Sequence, residues 1–122
     1  MPRVVRGALA DAPVSPHFAL LAGSEATGDE SFRSDAFQVL HNHAHTPWRD
    51  AQPHAHRDSD ELYVVLEGVM HIDVDGERHV VSANEFLAVP AGVVHQLVDV
   101  EVPHRSLVVR APSVRDKILP AR

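Results

Sequence analysis

The chain contains no cysteine in its 122 residues. Disulfides, thiolate ligands and a cysteine nucleophile are thereby excluded, so a transition-metal site would have to be built from nitrogen and oxygen donors. Lysine is almost as scarce: the single one, Lys117, lies in the C-terminal tail, away from any plausible Schiff-base site. Long apolar runs are missing too. Near the N-terminus Asp11, Pro13, Pro16 and His17 leave only the run from Phe18 to Gly23, too short for a signal-peptide core or a membrane span, and a cytoplasmic protein is expected. There is no Gly-x-Ser-x-Gly elbow, no Gly-rich phosphate loop and no internal repeat. Basic residues are outnumbered, 11 against 17, and the formal charge of -6 argues against a nucleic-acid or anionic-membrane partner.

What is present in excess is histidine, ten in all. His54 and His56 stand two apart, Glu61 follows five residues later, and His95 closes a second segment that begins at Pro90 and Gly92. Residues two apart on a strand share a face, so His54 and His56 can reach one ion while Ala55 points away. A bound cation is the simplest reason for the pair. A lone histidine on a strand is usually a surface or hydrogen-bonded residue; three with a carboxylate are a different matter.

A length of 122 residues with 44% hydrophobic content supports one core. Residues 1–35 are poor in periodicity and rich in Pro, Gly and Ser, and read as an N-terminal arm with one edge strand near Phe18 to Leu21 and a polar loop after it. From residue 36 the chain turns to short strands. Leu62 to Leu66 is apolar throughout, and Met70, Ile72 and Val74 alternate with polar residues. Asp75-Gly76 is a two-residue hairpin signal leading to Arg78 to Val81. Phe86 to Val89, Val93 to Val98 and Ser106 to Val109 continue the pattern, so an all-β sandwich or barrel over residues 36–112 is expected. In the tail, residues 113–122, one turn of helix over Ser113 to Leu119 is expected, limited by Pro112 and Pro120.

These two histidine-bearing segments resemble the signature segments of the cupins. His54, His56, Glu61 and Gly68 match the first segment, whose opening glycine is replaced by Trp48; Pro90, Gly92 and His95 match the second, with Asn84 in place of its glycine and Asp99 in place of its closing asparagine. Asn84 is the best non-glycine substitute because it tolerates the left-handed region. Trp48 is expected to shape a substrate entrance or to cap the core or a subunit contact. The resemblance covers roughly residues 36–110 and implies a double-stranded β-helix, the cupin jelly-roll barrel. It also implies a metal held by His54, His56, Glu61 and His95, and its spacing selects Glu61 over Asp60, which would point the other way on a strand and, like Asp58, read as a solvated charge.

Alternation then fills in the surroundings. With Glu61 inward, Tyr63 and Val65 follow; with His95 inward, Val93, Leu97 and Asp99 follow. Leu62, Val64 and Leu66, on the other side, need covering by the arm or by a second subunit, which suggests a homodimer. His41, His43 and His45 also alternate and, if Phe37 and Val39 face the core, point into the cavity as partners of the ligands, a proton shuttle or an alternative ligand set; otherwise they form an exposed strand end. His71 is expected outside, and His17, His79 and His104 carry no pattern. Tyr63 and His43 are the candidate catalytic side chains. One divalent transition metal ion per chain, Fe2+ first and Mn2+, Ni2+, Zn2+ or Cu2+ as alternatives, suits the donor set. The chemistry expected is that of a metal-dependent cupin enzyme acting on a small oxygen-bearing organic molecule, an iron dioxygenase in the first place. A non-redox isomerase, cyclase or lyase and a non-catalytic ligand-binding or sensor cupin are the alternatives.

Overall fold

Asp75 and Gly76 both adopt positive φ, 49° and 81°, which is the requirement of the type I′ turn that best matches the twist of a hairpin. They join β5, Asp60–Val74, to β6, Glu77–Ser82. The computed structural model describes residues 3–11 and 16–120; positions 1–2 and 12–15 of the expected arm and 121–122 of the expected tail lie outside them. Among the described residues nine strands run in the order β1 Phe18–Gly23, β2 Phe32–Arg33, β3 Gln38–Ala44, β4 Ala55–His56, β5, β6, β7 Phe86–Val89, β8 His95–Ala111 and β9 Lys117–Ile118. The main sheet has the order β2-β1-β3-β8-β5-β6, with β7 on β5, and β4 pairs with β9 in a separate two-stranded sheet. Among the described residues no helix is long and apolar enough to cross a membrane.

Two long strands organise the barrel. β5 and β8 are antiparallel from Asp60↔Ala111 to Val74↔His95, so each fuses two runs that the sequence pattern separates. The join in β5 is Gly68, at φ +80°. A Cβ there would run into the carbonyl oxygen of Glu101 and lie 2.7 Å from that of Pro103, so glycine is required by both dihedral and close approach. Wrapped around this pair, Tyr63, Val65, Met70, Ile72, Leu97, Val100 and Val108 form the centre of the core.

Register explains the side-chain faces. The run Glu61, Tyr63, Val65 is buried, while Leu62, Val64 and Leu66 are half-buried on the outer side. On β8 the expected inward row breaks after Leu97. His71 pairs with Asp99 but Ile72 with Leu97, which leaves Val98 as the extra residue of a β-bulge. Val100 therefore turns inward at 1% exposure and Asp99 is exposed, the reverse of simple alternation. Asn84 takes φ 70°, the left-handed value expected of a glycine substitute. Among its described residues the tail contains no helical turn: after Pro112 it runs extended and pairs Lys117–Ile118 with β4.

β1 lies in the segment read as an arm and is antiparallel to β3, Phe18↔Asn42 through Ala22↔Val39. On β3, Leu40 packs on the core, and Asn42 donates to the buried Ser106 hydroxyl at 3.1 Å. Inward positions are therefore the even-numbered ones. His41, His43 and His45 fall on the opposite face.

Replacing Gly68 by alanine is expected to lower the unfolding free energy by at least about 2 kcal/mol, from a left-handed residue and a backbone collision together. Urea unfolding of the variant beside the parent measures it, and an unchanged midpoint would contradict the close approach.

Candidate metal centre

Four side chains meet where the loop before β5 crosses the start of β8. His54 and His95 form an antiparallel bridge, with His54 N donating to His95 O at 2.9 Å and His95 N to His54 O at 2.8 Å. Gly92 N donates to the His56 carbonyl at 2.7 Å, with Gly92 at φ +83°. Those three bonds tie the two histidine segments together through the backbone, so the side chains converge without relying on a ligand. One ring nitrogen from each of His54, His56 and His95 lies within 4.8 Å of the others.

The ring orientations are fixed from behind. His95 Nδ1 is 3.0 Å from the Val93 carbonyl oxygen, His56 Nδ1 is 3.0 Å from Asp116 Oδ1, and His54 Nδ1 faces the Gln52 carbonyl oxygen at 3.4 Å. Carbonyls and carboxylates only accept, so each Nδ1 carries the proton and each Nε2 keeps its lone pair. This is the tautomer a metal ligand needs. Among the described residues His95 Nε2 is buried and has no hydrogen-bond partner. It lies 2.8 Å from Glu61 Oε1, and two lone pairs at that separation repel unless a proton or a cation stands between them. An orphaned ring nitrogen among two other imidazoles and a carboxylate fits a cation, since a buried polar atom left empty is costly.

Glu61 completes the group from β5. Its Oε2 is 3.8 Å from His56 Nε2, and its Oε1 accepts the Tyr63 hydroxyl proton at 2.9 Å. Burial pushes the Glu61 carboxyl up, but His95, the charge of His56 and the Tyr63 hydroxyl outweigh it and hold the group below its ordinary range. Burial and the neighbouring Glu61 charge push Tyr63 well above the usual phenol value, so it stays protonated. Burial and repulsion by His95 lower His54. Burial also opposes charge on His95, yet Glu61 and the Val93 carbonyl prevail and raise it. The site thus couples an ionised carboxylate to one imidazole that accepts a proton readily and one that resists it.

The structure brings together His54, His56, Glu61 and His95, with Tyr63 beside them. His43 is not among them. It pairs with Arg105 on the outer face of β3, its ring tilted between those of His41 and His45 with centres 6.0 and 5.1 Å away; a register that turns Leu40 inward turns His43 out. His45 is exposed, while His41 is buried and its Nε2 accepts from Arg105 at 3.3 Å. Asp60 is exposed and accepts from Ala91 N. Trp48 stacks on His17 at 4.2 Å between ring centres and packs against the core, so the indole caps the barrel interior.

Two residues escaped the sequence reading. Asp116 holds His56 from the tail, a contact spanning 60 positions that no local pattern announces. His104, to which no role was assigned, is completely buried, with its Nε2 2.9 Å from the Ser106 hydroxyl. The signal available was its position two before Ser106 in an alternating row.

The cupin domain family model matches residues 39–109. Over 44 residues the chain is 52% identical to the uncharacterized protein YdbB of Bacillus subtilis, covering 35% of this chain and 39% of that one. Over 47 residues it is 38% identical to quercetin 2,3-dioxygenase of Bacillus subtilis, covering 38% of this chain and 14% of that one. The match thus spans well under half of either curated relative. Among solved structures, the Streptomyces nucleoside dehydratase Pac13 superposes with a TM-score of 0.58 at 16% identity, covering 70% of this chain and 68% of that one.

Burial lowers the His104 pKa from an ordinary 6.5 to about 4, although Glu67 pulls the other way. The unfolded chain takes up a proton near 6.5 that the folded chain refuses until about 4, so this group costs stability as pH falls through that window and nothing above it. His104→Gln is expected to flatten the pH dependence of the urea midpoint between those values; an unchanged slope would contradict it. With both signature segments in place and the family model matching most of the barrel, the chain belongs to the cupin domain family.

Proposed function

We propose that the protein is a metal-dependent cupin enzyme whose His54, His56, Glu61 and His95 hold one divalent transition ion, iron in the first place, for oxygenation of a small oxygen-bearing organic molecule. The observation that carries the reading is the buried, unpartnered Nε2 of His95 beside two imidazoles whose Nδ1 atoms are likewise committed elsewhere. Similarity to quercetin 2,3-dioxygenase over 47 residues supports the choice of oxygen chemistry. When bound, such an ion supplies Lewis acidity toward a substrate oxygen, and iron adds reactivity toward dioxygen.

The chain's own residues do the rest. Glu61 stays ionised and neutralises part of the positive charge. Tyr63 keeps its proton and, 2.9 Å from Glu61 Oε1, can donate to a substrate oxygen or pass a proton to the carboxylate. Leu97 and Val108 line the interior beside Tyr63 and exclude water. The Tyr63–Glu61 donor–acceptor pair also suits a non-redox dehydration or isomerisation, and the likeness to a nucleoside dehydratase favours that as the second reading.

Metal analysis of protein purified without added metal is expected to give about one transition ion per chain, lost in His56→Ala; unaltered content in the variant would remove His56 from the site. Dioxygen uptake by the iron-loaded protein with hydroxylated aromatics or enolisable carbonyl compounds supports oxygenation, turnover without oxygen supports the second reading, and tight binding without conversion contradicts both. Tyr63→Phe is expected to retain the metal and to lower kcat about 10²-fold or more.

A homodimer belongs to the same proposal. Phe86, 72% exposed, pairs with Val64 on the outer face of the sheet, next to the half-buried Leu62, and such a patch is expected to associate. Sedimentation at micromolar concentration should show a dimer for the parent and a monomer for Phe86→Glu; a monomeric parent would overturn the proposal.

A further inference from the structure

The three histidines of the cluster are not held in the same way. His54 and His95 are oriented by carbonyls two residues from themselves, Gln52 and Val93, and so carry their orientation within their own segments. His56 depends on Asp116, 60 positions away in the C-terminal tail. Asp116 is 3% exposed, and its carboxylate gathers four donors from two parts of the chain, residues 56–59 and Arg110. Oδ2 accepts from the Ser59 hydroxyl at 2.8 Å and from Asp58 N at 2.9 Å, and Oδ1 accepts from His56 Nδ1 and Arg110 Nη1, each at 3.0 Å.

The tail is anchored away from the cluster as well: Ser113 N donates to the Asp35 carbonyl at 2.9 Å, Arg110 Nη1 to the Val114 carbonyl at 2.6 Å, and Arg115 pairs with Glu25. Near the cluster, β9 is two residues long and pairs with β4, Ala55↔Ile118 and His56↔Lys117, and Arg57 N donates to Asp116 O at 3.0 Å. Beyond Asp116, Ile118 is 42% and Leu119 53% exposed, so apolar burial contributes little there. β9 holds the backbone of His56, and Asp116 is the tail residue that reaches its ring.

We infer that the C-terminal segment is a positioning strap: by docking Asp116 behind His56 it fixes that ring with Nδ1 protonated and Nε2 toward His54 and His95, and thereby sets the affinity of the site for a metal ion. The inference rests on the metal reading above. The physical reason is that an imidazole without a partner on its far nitrogen rotates and exchanges tautomers, so part of its population presents an N–H to the ion. Asp116 is a positioning residue and touches neither ion nor substrate.

Titration of the metal-free full chain with Co2+, in competition with a chromophoric chelator, is the test, together with nitrogen-15 NMR of the histidine tautomers in the absence of metal. Asp116→Ala is expected to weaken Co2+ binding 10- to 100-fold and to move His56 away from the Nδ1–H form, while His54 and His95 keep theirs. Asp116→Asn, which preserves shape but offers one acceptor oxygen to four donors, provides the second measurement should the alanine variant not fold, with a loss of about threefold or more expected. Ser59→Ala removes a donor on the far side of the carboxylate; it should lower the urea midpoint and leave Co2+ affinity near the parent's. A folded Asp116→Ala protein with parental affinity or an unchanged His56 tautomer overturns the strap, as does a loss of affinity in Ser59→Ala equal to that in Asp116→Ala. A parent chain that takes up no Co2+ contradicts the metal site itself, and the strap's role in affinity with it.

Discussion

Everything at the centre of this protein depends on two backbone hydrogen bonds, exchanged between His54 and His95 at 2.9 and 2.8 Å. They attach an irregular segment, residues 45–54, to the start of β8, which is itself paired with β5 near both of its ends. Asp50 extends the attachment, its amide donating to the Leu97 carbonyl and its carboxylate accepting from Leu97 N. Backbone bonds of this kind do not care which ion is present. They deliver two imidazoles to one spot, and the third follows because His56 lies two residues farther along the same extended segment.

Charge is then arranged around that spot rather than in it. The Nδ1 atoms face oxygen acceptors on the outside, and Glu61 enters from the opposite wall with Tyr63 hydrogen-bonded to it. Arg110, across from Glu61 in register, is turned away from the cluster by Asp116 and by Gln38. A guanidinium left free there would oppose a cation, and the tail carboxylate that orients His56 also neutralises it. One acidic side chain thus performs two compatible electrostatic tasks.

How much of this could be read beforehand depended on the range of each interaction. His54, His56 and Glu61 share a local spacing, and the Asp75-Gly76 turn and Asn84 depend on their own dihedrals, so sequence alone locates them. Alternation predicts faces only while pairing is regular: it places Tyr63 and Val65 correctly and misplaces Asp99, because the bulge at Val98 is a property of two strands together. His43 was turned inward on the premise that Phe37 and Val39 face the core, whereas pairing with β8 puts Leu40 there instead. Asp116 and the strand in the tail were invisible, since both exist only after residues 55–59 and 116–118 meet. The helical turn expected between Pro112 and Pro120 is absent among the described residues, where an extended segment paired with β4 takes its place.

The central claim is that three imidazoles present Nε2 to a common ion. X-ray absorption at the metal edge of the loaded protein tests it most directly, because imidazole rings scatter in a pattern that water and carboxylate oxygens lack. Three imidazole nitrogens at about 2.1 Å are predicted, with two remaining on His95→Ala. A spectrum fitted by oxygen ligands alone, or one unaffected by that substitution, would contradict the account.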